Sequence, residues 1–93
     1  MRDSLRRGGF FVDYLAIDKC VTERSSKNGR HQTLFRFPNG YGASVISGDY
    51  IRKFEIAVLE GEELCYTTPI TNDVIAGLEA FEVYDYLDRI RKL

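Results

Sequence analysis

His31-Gln32-Thr33-Leu34-Phe35-Arg36-Phe37-Pro38-Asn39-Gly40-Tyr41-Gly42-Ala43-Ser44-Val45-Ile46-Ser47 decides the fold of this chain. Two extended runs flank an Asn-Gly pair, the strongest short-range signal for a β-hairpin. The pattern continues outward in the same style. Gly48-Asp49-Tyr50 turns the chain again, and Lys53 to Leu59 places Phe54, Ile56 and Val58 on one face with Glu55 and Ala57 on the other. Glu60-Gly61-Glu62 closes a tight turn into Glu63-Leu64-Cys65-Tyr66-Thr67. The expectation is a four-stranded antiparallel meander.

Helical patterns bracket these strands. Phe10 to Glu23 sets Phe11, Tyr14, Leu15, Asp18 and Val21 at helical spacings, while Phe10, Val12, Tyr14 and Ala16 also alternate as a strand would. The length of the run and its end at Ser25-Ser26-Lys27-Asn28-Gly29 favour a helix followed by an exposed polar loop. Beyond the sheet, Thr68-Pro69 stops the last strand. Thr71 then reads as the N-cap of a short helical turn over Asn72–Ala76, with Gly77 at its left-handed C-terminal position. A longer helix is expected from Glu79 to Lys92, with Val83, Leu87 and Ile90 as its apolar spine. Asp85–Arg89 and Asp88–Lys92 are i, i+4 pairs on it, and its N-cap slot is poor. The expected fold is α+β: an N-terminal helix, the meander, then a short and a long helix packed on one face.

Length and composition restrict the function classes. Ninety-three residues make one domain, read as a flexible basic arm over 1–9 followed by a single α+β unit over 10–93. Apolar content of 44% with 13% aromatics is that of a globular protein. No apolar run reaches the ~18 residues of a membrane span, and Asp13 and Asp18 spoil any signal-peptide reading of the start. The expected setting is the cytoplasm. Cys20 and Cys65 are isolated, without Cys-x-x-Cys spacing or a neighbouring His cluster, so neither a zinc site nor a redox motif is expected and no cofactor is implied. His31 is the sole histidine and lacks a local nucleophile motif. An enzyme would require Cys20 or Cys65 beside it in a cleft.

Charge is segregated along the chain. Residues 1–46 hold eight bases against four acids, +4, and residues 47–93 hold five bases against ten acids, −5, matching the net charge of −1. From Phe54 to Asp88 there are nine carboxylates and no Lys or Arg. Two surfaces are therefore expected. An acidic one, for which Glu60, Glu62, Glu63, Glu82 and Asp85 are the chosen contacts because turn and helix positions expose them, suits a protein partner with a basic surface. The alternative is a nucleic-acid site using Arg2, Arg6, Arg7, Lys27, Arg30 and Tyr41. Gly40-Tyr41-Gly42 partly matches the strand signature of RNA-recognition and cold-shock domains, but Asn39 and Ala43 stand where a base and an aromatic are wanted. Phe35 and Phe37 would join Tyr41 in stacking bases only if they faced solvent. A meander also has two open edges, and self-pairing into a homodimer is one way natural sheets protect them.

The segments Asn39-Gly40-Tyr41-Gly42-Ala43-Ser44-Val45 and Thr68-Pro69-Ile70-Thr71-Asn72-Asp73-Val74, within the last two-thirds of the chain, resemble small uncharacterised proteins of bacteriophages and prophages. No activity or functional residue carries over with that resemblance. What it implies is a phage accessory setting in the host-cell cytoplasm. There, small one-domain proteins bind and block host components, in anti-defence and anti-CRISPR roles among others.

Overall fold

The computed structural model describes residues 12–48 and 51–93. Its centre is the expected hairpin: strands β2 (Arg30–Arg36) and β3 (Tyr41–Gly48) pair antiparallel around Pro38-Asn39-Gly40. Gly40 takes φ +89°, and Phe37 N donates to Tyr41 O at 2.8 Å. Strand β4 (Ile51–Glu60) returns along β3. Directly opposed residues share a face, so Phe35, Ala43 and Val58 form one row and Thr33, Val45 and Ile56 the next. That face, with Phe37, Ile17, Leu78, Val83, Leu87 and Ile90, is the hydrophobic core.

The N-terminal helix is much shorter than the sequence suggests. Among the described residues of that run Tyr14–Asp18 is helical (α1), with Asp13 Oδ1 accepting from Ala16 N at 3.0 Å. What reads as a helix end and loop is instead strand β1 (Val21–Lys27). Asn28 (φ +56°) and Gly29 (φ +77°) connect it to β2 through a two-residue turn, with Lys27 opposite Arg30. Two successive positive φ values are the backbone signature of a type I′ hairpin, which twists in the sense strands require. A bulge between Val21 and Glu23 bends the start of β1, where the Thr22 hydroxyl donates to Leu34 O at 3.3 Å.

The segment after β4 differs as well. Gly61 (φ +62°) turns the chain, but the strand beyond is only Glu63–Leu64 (β5). The helical turn expected over 72–76 does not form. The Thr71 hydroxyl accepts from Asp73 N at 3.1 Å and Asp73 Oδ1 accepts from Val74 N at 2.7 Å, so the capping chemistry is spent on a local turn. Ile75–Leu78 is then a further strand, β6, antiparallel to β4 with Leu78 opposite Phe54 and Ile75 opposite Ile56. Gly77 (φ +74°) sits in the irregularity between those pairs, not at a helix end. The sheet thus has six strands, in the order β1-β2-β3-β4-β5 with β6 also on β4, in place of four.

Helix α2 (Ala80–Arg91) covers the core face, and Val83, Leu87 and Ile90 are buried as the periodicity demands. Its weak N-cap is offset by Glu82 Oε1, which accepts from Glu79 N at 2.9 Å. At the other end Asn39 Nδ2 donates to the carbonyls of Ile90, Arg91 and Leu93 at 2.9, 3.1 and 3.3 Å. The hairpin turn therefore closes the helix. Tyr84 ties α1 to α2: its ring meets that of Tyr14 edge-on at 4.8 Å, and its hydroxyl donates to Asp18 Oδ1 at 2.8 Å.

Candidate functional site

The acidic block does not fold into one patch. Glu60, Glu62 and Glu63 are exposed at the β4–β5 turn, whereas Glu82 and Asp85 lie in the first half of α2. That helix begins just after Leu78, which pairs with Phe54, and Phe54 is six residues from Glu60 along β4. Asn39 bonds the last carbonyls of α2 and Gly40 O accepts from Gly61 N, so the β4–β5 turn lies at the C-terminal end of α2, while Glu82 is in its first turn at the other end and Asp85 about midway. Several of the nine carboxylates are also neutralised by bases from outside the block. Glu79 pairs with Lys53, Asp85 with Arg89 at 3.2 Å, Glu62 with Arg36 at 3.9 Å, and Asp88 with Arg91 and Lys92 at 2.6 and 2.9 Å. Burial raises the Asp88 pKa, but the bonds from Lys92 and Arg91 more than offset this and hold the carboxyl below its ordinary value. Asp88 is therefore a structural anion, and Glu62, 90% exposed, gains little from its pair.

What α2 does present is an aromatic face of mixed charge, with Glu82, Asp85 and Arg89 around Phe81 and Tyr86. Phe81 is 69% exposed, one helical turn from Asp85 and next to Glu82. Together with Val12, Tyr14 and Tyr86 these residues line an open groove of about 450 Å³. Tyr14 (50% exposed) carries its apolar surface onto α1, where Leu15 is 76% exposed. Arg89 stacks over the Tyr86 ring at 4.9 Å, while also pairing with Asp85. Large apolar side chains left in water beside a small number of fixed charges are the composition of recognition surfaces. The sequence reading singled out Glu82 and Asp85 but missed Phe81. The signal was available: with Val83, Leu87 and Ile90 turned inward, residue 81 falls on the outer face, where an aromatic gains nothing from the core.

The described residues of the nucleic-acid alternative are dispersed. Arg2, Arg6 and Arg7 lie outside the described residues. Lys27 and Arg30 are exposed at the β1–β2 turn, opposite one another. Tyr41 is at the far end of the sheet, paired with Glu60 and packed against the core. Phe35 and Phe37, each 5% exposed, face the helices and offer no stacking platform. The glycine of Gly-Tyr-Gly has a structural explanation: a Cβ on Gly42 would stand 2.1 Å from Phe35 O, so the strands approach closely there.

The thiols and the imidazole are also apart. His31 Nδ1 and Ser26 Oγ are 2.8 Å apart near the β1–β2 turn. Cys20 O accepts from Arg36 N, five residues along β2, or about 16 Å away. Cys65 N donates to Val58 O in the row of Phe35, four residues along β2, or about 13 Å. Both cysteines are free thiols, and no thiol–imidazole pair forms. Among the described residues no cluster of three or more His, Cys, Asp or Glu could hold a metal ion, and no helix is long and apolar enough to cross a membrane. Comparison with known proteins gave no matching family model, no matching curated protein and no matching solved structure.

Proposed function

We propose that this chain is a non-enzymatic binding module that holds a protein partner on the outer face of α1 and α2. Phe81 is the apolar anchor, Tyr14 and Leu15 widen its contact, and Glu82, which makes no ion pair among the described residues, favours a basic surface, with the Asp85–Arg89 pair completing a charged rim. The observation that carries this reading is the 69% exposure of Phe81 beside the two carboxylates. Covering that ring would contribute about 2 kcal/mol, the scale of an interface hot spot. The resemblance to phage proteins supplies the setting: a host protein as partner and inhibition of it as the outcome, with anti-defence and anti-CRISPR systems as candidate targets. Glu60, Glu62 and Glu63 are outside this face and are not required.

The test is affinity capture from nuclease-treated bacterial lysate at about 0.15 M salt. The wild-type chain and an E60K/E62K/E63K variant should retain the same protein. Phe81→Ser, and Glu82→Gln, which keeps an Oε1 acceptor for Glu79 N, should lose it while keeping their circular dichroism. Retention by those last two variants would overturn the assignment.

A further inference from the structure

Among the described residues β1 is an edge of the sheet, with β2 as its one neighbour. Every residue from Thr22 to Lys27 is exposed, so the strand presents an unpaired row of backbone groups to water. Charge on an edge strand ordinarily blocks pairing, so the disposition of charge along this one decides what can dock. Among the described residues Glu23, Lys27 and Arg30 make no ion pair within the chain. Lys27 and Arg30 are directly opposed and share a face with Glu23 and Ser25, the face away from the helices. On that face one end of β1 carries Lys27, with Arg30 next to it on β2, and the other carries Glu23, while Arg24 lies on the opposite face with Thr33.

We propose that β1 pairs antiparallel with β1 of a second copy of this chain, centred on Ser25, to give a continuous sheet across a two-fold axis. Backbone alternation fixes the register to one of each two. The closing pair of a two-residue hairpin, Lys27–Arg30, exchanges its own hydrogen bonds, and so by alternation does Ser25–Gln32. The N–H and C=O of Arg24 and Ser26 therefore point outward. Centring on Ser25 places each Arg24 opposite the other copy's Ser26, so that those outward groups exchange four hydrogen bonds. The same register sets Glu23 against the other copy's Lys27, twice, at the closer non-hydrogen-bonded spacing where side chains meet. Arg30 lies one strand further in, behind Lys27, and adds to the positive field at that end. The neighbouring permitted registers fail: centring on Arg24 opposes two guanidinium groups, and centring on Ser26 leaves Glu23 beyond the paired segment. The charges thus act as a selector for a single self-complementary pairing.

This inference is independent of the α1–α2 face and is tested on the purified full chain without any partner. Sedimentation equilibrium across a concentration series should show a monomer–dimer equilibrium. Glu23→Lys alone and Lys27→Glu alone, each of which turns two attractions into two repulsions, should weaken dimerisation about tenfold or more. The double exchange E23K/K27E, which keeps the net charge and restores both pairs, should recover it. Circular dichroism establishes that each variant is folded. A chain monomeric at every concentration, or a dimer indifferent to the single reversals, would overturn the proposal.

Discussion

Replacing Asn39 tests how the β2–β3 turn and α2 depend on one another. Its amide nitrogen has two hydrogens and lies within reach of three carbonyl oxygens, at 2.9, 3.1 and 3.3 Å, while Oδ1 accepts from Tyr41 N at 2.9 Å. Asn39→Ala removes all of these. At about 0.5–1.5 kcal/mol net for each bond, reduced because water can reach an exposed turn, the expected loss is about 2 kcal/mol. Asn39→Asp is nearly isosteric and keeps an acceptor for Tyr41 N, yet it should be worse. It aims a carboxylate at three carbonyls and at the negative end of the helix dipole, which adds about 1 kcal/mol to the lost donor bonds, for about 3 kcal/mol in all. Urea unfolding read by circular dichroism gives both values. The Asp variant should regain part of its stability on acidification, when the protonated acid can donate again. The reasoning fails if Asn39→Asp is as stable as wild type at neutral pH, or if Asn39→Ala costs less than the Asn39→Gln change that retains the donor.

Gly42→Ala should lose about 3 kcal/mol or more in the same assay, because its Cβ meets Phe35 O at 2.1 Å and the obstacle is backbone that cannot swing away. Asp88 should shape the acid limb of stability. Its folded pKa lies below the unfolded value, so its contribution is present above the unfolded pKa and is lost as pH falls through the folded one; Asp88→Asn should flatten that limb. Tyr84 should shape the alkaline limb. Burial, then the hydrogen bond to Asp18, raises its pKa above 10.0, so its contribution is complete below that value and is lost as pH rises through the folded one; Tyr84→Phe should remove this dependence. Phe81→Ala should change stability by no more than about 0.5 kcal/mol, as expected of an exposed position.

The parts of the fold set by short-range chemistry are legible in the sequence. Asn39-Gly40 locates the central hairpin, the alternation of Phe54, Ile56 and Val58 gives the core face of β4, and Val83, Leu87 and Ile90 give that of α2. The misread segments are those in which local and long-range preferences compete. Residues 10–23 satisfy both periods, and pairing with β2 settles the end of that run as strand. Asn28-Gly29 carries the same hairpin signal as Asn39-Gly40 but follows a serine- and charge-rich run without apolar alternation, since β1 is exposed on both faces. Thr71 and Asp73 use capping bonds that serve a turn as well as a helix, and β6 exists because the edge of β4 is there to receive it. The acidic block misleads for a related reason. Arg36 and Lys53, distant in sequence from Glu62 and Glu79, neutralise part of it, and only the pairing of Leu78 with Phe54 sets the start of α2, and Glu82 with it, at the end of β4 away from Glu60.

The most direct test of the binding face is site-specific photocrosslinking in nuclease-treated bacterial lysate, with a benzophenone side chain placed at residue 81 in one chain and at residue 62 in another. A protein partner held on α1 and α2 should crosslink at 81 and not at 62. A partner that crosslinks at 62 alone, or no protein crosslinked at 81, would contradict it.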